Sequence, residues 1–199
     1  MLLQWKPVIK AIIFDCFGVL TTDNWKEFCA MLPVDAGVEE ARRLNHAWDA
    51  AKITYEQFLE GVEKATGHPK QEVSAMLDKG NPKNELLFEY IPELKKRRYK
   101  LGILSNVSTT WIRDEFLNES DQKYFDDMIF SFELGATKPD PLLYRTACTN
   151  LGVRPSEAVF IDDNPGYCEG AQKFGMKAIY YQNFPKMKQD LEKLLDTNN

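Results

Sequence analysis

The chain has 199 residues, of which 44% are hydrophobic, and a formal net charge of -5 without a block of basic residues. This size predicts one domain, alone or with an insertion, and the acidic balance argues against nucleic acid or a membrane as partner. The opening MLLQWKPVIK is too short and interrupted for a secretory signal, and no stretch approaches the roughly 20 apolar residues of a membrane span. The four cysteines have no CxxC spacing, so we predict that they are reduced thiols in a cytoplasmic protein: Cys16, Cys29, Cys148 and Cys168.

The first predicted element is a strand over residues 12–14, because Ile12-Ile13-Phe14 is a short apolar run typical of a strand buried on both faces. Asp15 follows this run directly. An acid at the carboxyl end of a parallel strand faces the crevice where open α/β sheets bind ligands. Asp15 is therefore a candidate catalytic residue, although an Asp that only caps a turn would give the same pattern.

Residues 21–81 have helical patterns and no convincing strand. Helices are predicted over residues 25–31, 38–51, 54–66 and 69–79, and Thr54 with Gln57 fits a capping box. We expect residues 21–81 to form a helical cap inserted into a core domain built from residues 1–20 and 82–199. The insertion begins beside the first strand end, so such a cap is placed to close over the crevice.

Strands and helices alternate through the rest of the chain. Further buried strands are predicted over residues 101–104, 128–132, 158–161 and 178–181, with helices over residues 113–124, 141–151, 169–174 and 186–195. This alternation predicts an α/β protein with a Rossmann-like, parallel five-stranded sheet, helices on both faces and an inserted α-helical cap.

Polar residues follow three of the later strands, as an acid follows the first. Ser105 and Asn106 come after the second strand, Lys138 after the third, and Asp162 and Asp163 after the fourth. Convergent carboxylates repel one another and require a cation, and Mg²⁺ with oxygen ligands and a substrate phosphate meets that need. Each of these polar residues alone is typical of a helix N-cap, a turn or a solvent-exposed charge. Together they favour transfer of a phosphoryl group to a carboxylate.

Four motifs occur in order along nearly the whole chain: IIFDCFGVL, LGILSN, LGATKPDPLLY and VFIDDNPGYCEGA. They resemble the haloacid dehalogenase-like hydrolase superfamily, and in particular its small phosphatases with a helical cap. The resemblance implies that Asp15 is the nucleophile that becomes an aspartyl-phosphate, that Ser105, Asn106 and Lys138 bind the phosphate, and that Lys138 is also catalytic. It further implies a Mg²⁺ site with these ligands: Asp15, Asp162, Asp163 and the backbone carbonyl of Phe17.

Two positions depart from the pattern of that family. Phe17 stands where most of its phosphatases have a second Asp that acts as general acid and then as base, and Phe cannot move a proton. Such a group is worth about 10²- to 10⁴-fold in rate. Metal binding requires only the carbonyl at this position, so the substitution affects catalysis more than metal binding. Tyr167 stands where relatives often have Asn.

Three functions remain open. The first is a Mg²⁺-dependent phosphatase for a small phosphorylated metabolite with a good leaving group, such as a sugar 1-phosphate or an acyl phosphate. The second is a metal-free 2-haloacid dehalogenase, since dehalogenases of the family carry an aromatic residue at the Phe17 position. The third is a catalytically weak protein that binds a phosphorylated ligand or a protein partner. The pair Asp162-Asp163 favours the first function, whereas Phe17 favours the other two. The sequence is compatible with either a monomer or a homodimer.

Substrate specificity is expected to come from the cap. His46 and Lys52 are the two candidates to replace the missing proton donor. His68 is expected in a loop, and Cys16 is expected to point away from the site. Aromatic residues at helical spacing form cores more often than ligand sites, so we expect most of these to pack together: Trp25, Phe28, Trp48, Tyr55 and Phe58.

Overall fold

The structure is a computed structural model that describes residues 8–33 and 37–196. Its strands are β1 Ala11–Phe14, β2 Lys100–Ser105, β3 Asp127–Phe130, β4 Ala158–Asp162 and β5 Lys177–Tyr180. They form one parallel sheet in the order β3-β2-β1-β4-β5. The Rossmann-like sheet predicted from the sequence is thereby confirmed. Residues 1–7, which hold most of the segment predicted not to be a secretory signal, lie outside the described part.

Between β1 and β2 the chain forms α1 Asn24–Met31, α2 Val38–Asp49, α3 Tyr55–Thr66 and α4 Lys70–Leu77, which we term the helical insert. The insert has its own hydrophobic cluster, which includes Phe28 and Phe58. The predicted capping box is present, because the Thr54 hydroxyl accepts from the Gln57 N–H and the Gln57 side chain accepts from the Thr54 N–H. The insertion of helices between the first two strands is thus confirmed, whereas its role as a cap domain and its limits at residues 21 and 81 stay predictions.

The remaining helices are α5 Glu85–Lys96, α6 Glu119–Gln122, α7 Ser131–Leu134, α8 Pro141–Asn150, α9 Pro165–Phe174 and α10 Phe184–Asp196. Successive residues of β1 point to opposite faces of the sheet. Phe14 packs in a cluster with residues of α5 and α10, and Ile13 packs in another with residues of α8 and α9. Helices therefore cover both faces and bury the sheet between them.

Some predicted boundaries were wrong. The strand predicted over residues 128–132 ends at Phe130, because Ser131 begins α7 and its hydroxyl accepts from the Val107 N–H at 2.8 Å. The single helix predicted over residues 113–124 is instead a π-helical turn, Ile112–Phe116, followed by the short α6, whose start is capped by the Asn118 side chain.

The described cysteines are all buried and unpaired, as expected for reduced thiols. Cys16 is fully buried in the core cluster, away from solvent, and His68 lies in the loop between α3 and α4. Within residues 8–33 and 37–196, none of the helices has the length and apolar character needed to cross a bilayer.

Candidate active site

Three carboxylates meet at the carboxyl edge of the sheet. β1 and β4 are neighbours, with Phe14 opposite Ile161, and the Asp15 N–H continues the ladder by donating to the Ile161 carbonyl at 2.9 Å. Asp15, which follows β1, and Asp162, the last residue of β4, are therefore side by side. Carboxylate oxygens of Asp15, Asp162 and Asp163 all lie within 4.8 Å of one another. The convergence expected from the strand ends is present.

Lys138 joins two of these carboxylates. Its side chain is fully buried, and its Nζ lies 2.8 Å from Asp15 Oδ1 and 2.7 Å from Asp162 Oδ2. The Asn106 side chain accepts from the Lys138 backbone N–H at 2.8 Å and so fixes the loop that carries the lysine. The ammonium also lies 5.0 Å from the centre of the Tyr167 ring, a distance at which a cation is attracted to an aromatic face.

One lysine does not balance three carboxylates. Burial raises the pKa of the Asp15 carboxyl well above its usual range, Lys138 opposes that rise, and Asp162 and Asp163 reinforce it. Burial by itself would lower the pKa of Lys138, but the carboxylates of Asp15 and Asp162 outweigh burial and raise it, so the lysine stays charged. A further cation beside these carboxylates favours the ionised form of Asp15.

Lys26 of α1 supplies one such cation. Its Nζ pairs with Asp163 Oδ2, so a side chain of the helical insert reaches the edge of the sheet. The lysine side chain is 60% exposed, whereas that of Asp163 is 13% exposed. The Lys26 ammonium thus brings a positive charge to one of the three carboxylates at this edge.

The site fits a hard divalent cation. Asp162 is already bonded, since its two oxygens accept from Lys138 and from the Asn164 N–H at 2.7 Å, while Asp163 lines a cavity. Gly18 has a φ of +83°, and a Cβ there would lie 2.4 Å from Asp163 Cγ, so the turn after β1 requires glycine to admit this carboxylate. The Phe17 carbonyl accepts no hydrogen bond from the described residues. Several oxygen ligands at a partly open site suit Mg²⁺.

The two polar residues after β2 differ in position. Asn106 lines the cavity, and its Nδ2 donates to the Tyr167 hydroxyl at 3.3 Å. Ser105 is fully buried, and its hydroxyl lies 3.5 Å from the Asn106 carbonyl. Asn106 therefore faces the site directly, whereas Ser105 lies beneath it. Their predicted roles in binding phosphate stay predictions.

A cavity of about 1290 Å³ lies between this edge and the helical insert. Phe17 lines it, and its ring stacks on Trp111 at 5.9 Å. Of the insert aromatics, Phe28 and Phe58 are core residues, as expected. The others pack on that core and also line the cavity: Trp25, Trp48 and Tyr55. The expectation that most of these aromatic residues pack together is confirmed, and these three also face the cavity.

The two candidate proton donors are placed differently. Lys52 is exposed and is not among the described residues that line the cavity. His46 lines the cavity, its Nδ1 is buried and has no hydrogen-bond partner among the described residues, and burial lowers the pKa of its imidazole. Sequence reasoning missed Asp49, the last residue of α2, which also lines the cavity. The available signal was a lone carboxylate at the end of an amphipathic helix, where the helix dipole opposes it.

A family model described as haloacid dehalogenase-like hydrolase matches residues 9–175. The chain belongs to the haloacid dehalogenase-like hydrolases. The (S)-2-haloacid dehalogenase 1 of Pseudomonas sp. (strain CBS-3) is 26% identical over 190 residues, which cover 86% of this chain and 83% of that protein. The phosphorylated carbohydrates phosphatase of Thermotoga maritima is 28% identical over 187 residues, which cover 86% of this hydrolase and 84% of that protein.

A solved structure has the same fold. It is a HAD family enzyme of Bacteroides thetaiotaomicron in complex with magnesium and inorganic phosphate, with a TM-score of 0.60 and 20% identity, covering 87% of this chain and 94% of that one. The relatives include both phosphatases and dehalogenases at similar identity. The comparisons therefore show that the chain is a hydrolase of this family. They do not distinguish a phosphatase from a dehalogenase, so the substrate and the metal requirement are inferred from the chemistry of the site.

Proposed function

We propose that this hydrolase is a Mg²⁺-dependent phosphatase that acts on a small phosphorylated metabolite through an aspartyl-phosphate on Asp15. The observation that carries the proposal is the group of three carboxylates within 4.8 Å, which holds more negative charge than Lys138 can balance. Such a group suits a divalent cation together with a phosphate. A cytoplasmic location, without nucleic acid or membrane partners, is the accompanying prediction from the sequence.

In the proposed reaction, an oxygen of the Asp15 carboxylate attacks phosphorus. Lys138 Nζ orients Asp15 through its 2.8 Å contact and offers its positive charge to a phosphate oxygen. Asp15, Asp162, Asp163 and the Phe17 carbonyl would hold Mg²⁺. When bound, the ion would neutralise the carboxylates and the phosphate oxygens. Water then hydrolyses the aspartyl-phosphate and restores Asp15.

Two observations favour a second candidate, a metal-free 2-haloacid dehalogenase in which Asp15 attacks carbon and displaces halide. Phe17 is aromatic, as in the dehalogenases of the family. The Lys26 ammonium on Asp163 also reduces the charge imbalance without a metal ion. This candidate is less favoured, because a metal-free dehalogenase does not require the Asp162-Asp163 pair.

One set of assays separates the candidates. We expect phosphate release from sugar 1-phosphates or acyl phosphates, and loss of that release after EDTA treatment with recovery on adding Mg²⁺. Chloride release from (S)-2-chloropropionate without metal, and no phosphate release, would instead establish the dehalogenase. Mg²⁺ binding by calorimetry without turnover of either substrate class would leave a catalytically weak binding protein.

A further inference from the structure

The cavity lacks a proton donor at the position beside the nucleophile. Phe17 cannot transfer a proton, and its ring is held against Trp111. A leaving oxygen with a high pKa must nevertheless be protonated as its bond to phosphorus breaks. If this hydrolase cleaves ordinary phosphate esters, the proton comes from another residue that lines the cavity.

We propose that Asp49 of α2 is the general acid that protonates the leaving group, and the base that then activates water. This inference rests on the proposed phosphatase function. Asp49 lines the same cavity as Asp15 and Lys138, but its side chain comes from the helical insert and not from a strand end. In this proposal, the helical insert supplies the general acid that the core lacks at Phe17.

The surroundings of Asp49 favour a protonated carboxyl. It is buried, and no described cation pairs with it; the Asn45 amide donates to its Oδ2 at 2.8 Å. Burial raises the pKa of Asp49 to about 7, with Asp23 adding to the rise, while Lys138 and the Asn45 hydrogen bond oppose it. Its place at the carboxyl end of α2 acts in the same direction, because the helix dipole disfavours negative charge there. A donor with a pKa near the working pH is the most effective.

The backbone of Asp49 is tied to the core. The Ser131 hydroxyl at the start of α7 donates to the Asp49 carbonyl at 2.6 Å and accepts from the Val107 N–H. Ser131 is fully buried, so this link does not compete with water. The end of α2 is therefore fixed against the core even though most of the helical insert packs on itself.

The other titratable groups nearby are weaker candidates. Burial lowers the pKa of His46, so its imidazole is neutral at pH 7 and holds no proton that it readily donates. Burial raises the pKa of the Tyr167 hydroxyl, which makes it a poorer acid. Asp23 is committed to capping α1, because its carboxylate accepts from the Lys26 N–H at 2.9 Å.

The proposed proton transfer balances over the two half-reactions. In the first, the bond between Asp15 oxygen and phosphorus forms, the bond between phosphorus and the leaving oxygen breaks, and the Asp49 proton moves to that oxygen. In the second, the Asp49 carboxylate takes a proton from water as the water oxygen bonds to phosphorus and the Asp15 carboxylate leaves. Asp49 ends protonated, as it began.

The test compares leaving groups in the full chain with Mg²⁺. For Asp49→Asn we expect kcat/KM to fall by about 10²-fold or more for phenyl phosphate and alkyl phosphates, and only a few-fold for 2,4-dinitrophenyl phosphate, whose leaving group needs no proton. In the wild type, kcat/KM for phenyl phosphate should decline as pH rises through about 7, because the acid loses its proton. That decline should be absent in Asp49→Asn. Asp49→Glu, which keeps the carboxyl, should recover part of the loss.

His46→Ala is the matched comparison on the same helix. An equal loss for all leaving groups in Asp49→Asn would overturn the role of Asp49 as acid, as would finding the selective loss in His46→Ala instead. Both results leave the phosphatase proposal intact, since the wild type still releases phosphate. A wild type that releases phosphate from none of these esters would overturn both proposals. Circular dichroism of each variant shows that the fold is kept.

Discussion

The two walls of the cavity are held by different kinds of contact. At the strand ends, Lys138 and Asp162 are fully buried and each bonds to a partner of opposite charge. On the helical insert, Asp49 is buried and pairs with no cation among the residues that the structure describes, and within the same residues the buried Nδ1 of His46 has no hydrogen-bond partner. The core wall therefore pairs its buried charges with one another, whereas the insert wall has groups that are free to exchange a proton or bind a ligand. The variants below test that difference, from the largest expected effect to the smallest.

Removing the nucleophile should have the largest effect. We expect Asp15→Asn to lower kcat for phosphate release by about 10⁴-fold or more, as for other enzymes that lose a nucleophile. An amide attacks phosphorus poorly and does not form the acyl phosphate. Asp114→Asn changes an exposed carboxylate outside the cavity and is the control. More than a small percentage of wild-type activity in Asp15→Asn would contradict the role of Asp15.

Removing the buried lysine should cost stability. Lys138→Met leaves Asp15 and Asp162 without their cation in a buried site, and we expect the free energy of unfolding to fall by about 3–5 kcal/mol. Lys10→Met is the matched control, because Lys10 pairs with Glu157 at 2.8 Å but its own side chain is 58% exposed. Exposed pairs contribute about 0–1 kcal/mol. Urea denaturation measures both, and equal losses would show that the core wall does not depend on its buried charges.

The difference between the walls also explains what the sequence could predict. Buried strands with an acid or a lysine after them mark the sheet edge through a local pattern, so Asp15, Lys138 and Asp162 were found. The role proposed for Asp49 depends on how the helical insert contacts the core through Ser131, a contact between residues 82 positions apart. The same serine ended β3 earlier than the apolar run suggested. Contacts of this range leave no periodic signal in the sequence.

The buried acid of the insert should make stability depend on pH. The folded-state pKa of Asp49, about 7, lies above its ordinary value of 3.8. Between the two values the folded protein keeps a proton that the unfolded chain releases, so stability falls as pH rises. Asp49→Asn removes this penalty. We therefore expect the free energy of unfolding of the variant, relative to that of the wild type, to increase by about 2 kcal/mol between pH 5 and pH 7.

Asp190→Asn is the control for that titration. Lys186 lowers the pKa of Asp190 through a hydrogen bond, so this pair stabilises the fold at neutral pH and loses its effect in acid. The free energy of unfolding of this variant should therefore be lower than that of the wild type at pH 7, and the difference should shrink as the pH falls. If the difference between Asp49→Asn and the wild type did not change with pH, Asp49 would be ionised throughout that range in the folded protein.

The smallest expected effect concerns an ion pair that joins the two walls, between Lys26 of the insert and Asp163. An ammonium paired with the Asp163 carboxylate opposes the binding of a second cation there, and a half-exposed pair is worth about 0.2–1 kcal/mol. We therefore expect Lys26→Met to bind Mg²⁺ about two- to five-fold more tightly in calorimetry. Lys79→Met is the control, since Lys79 pairs with Glu27 at 3.8 Å and does not line the cavity. Unchanged or weaker binding in Lys26→Met would mean that the lysine does not oppose the binding of the ion.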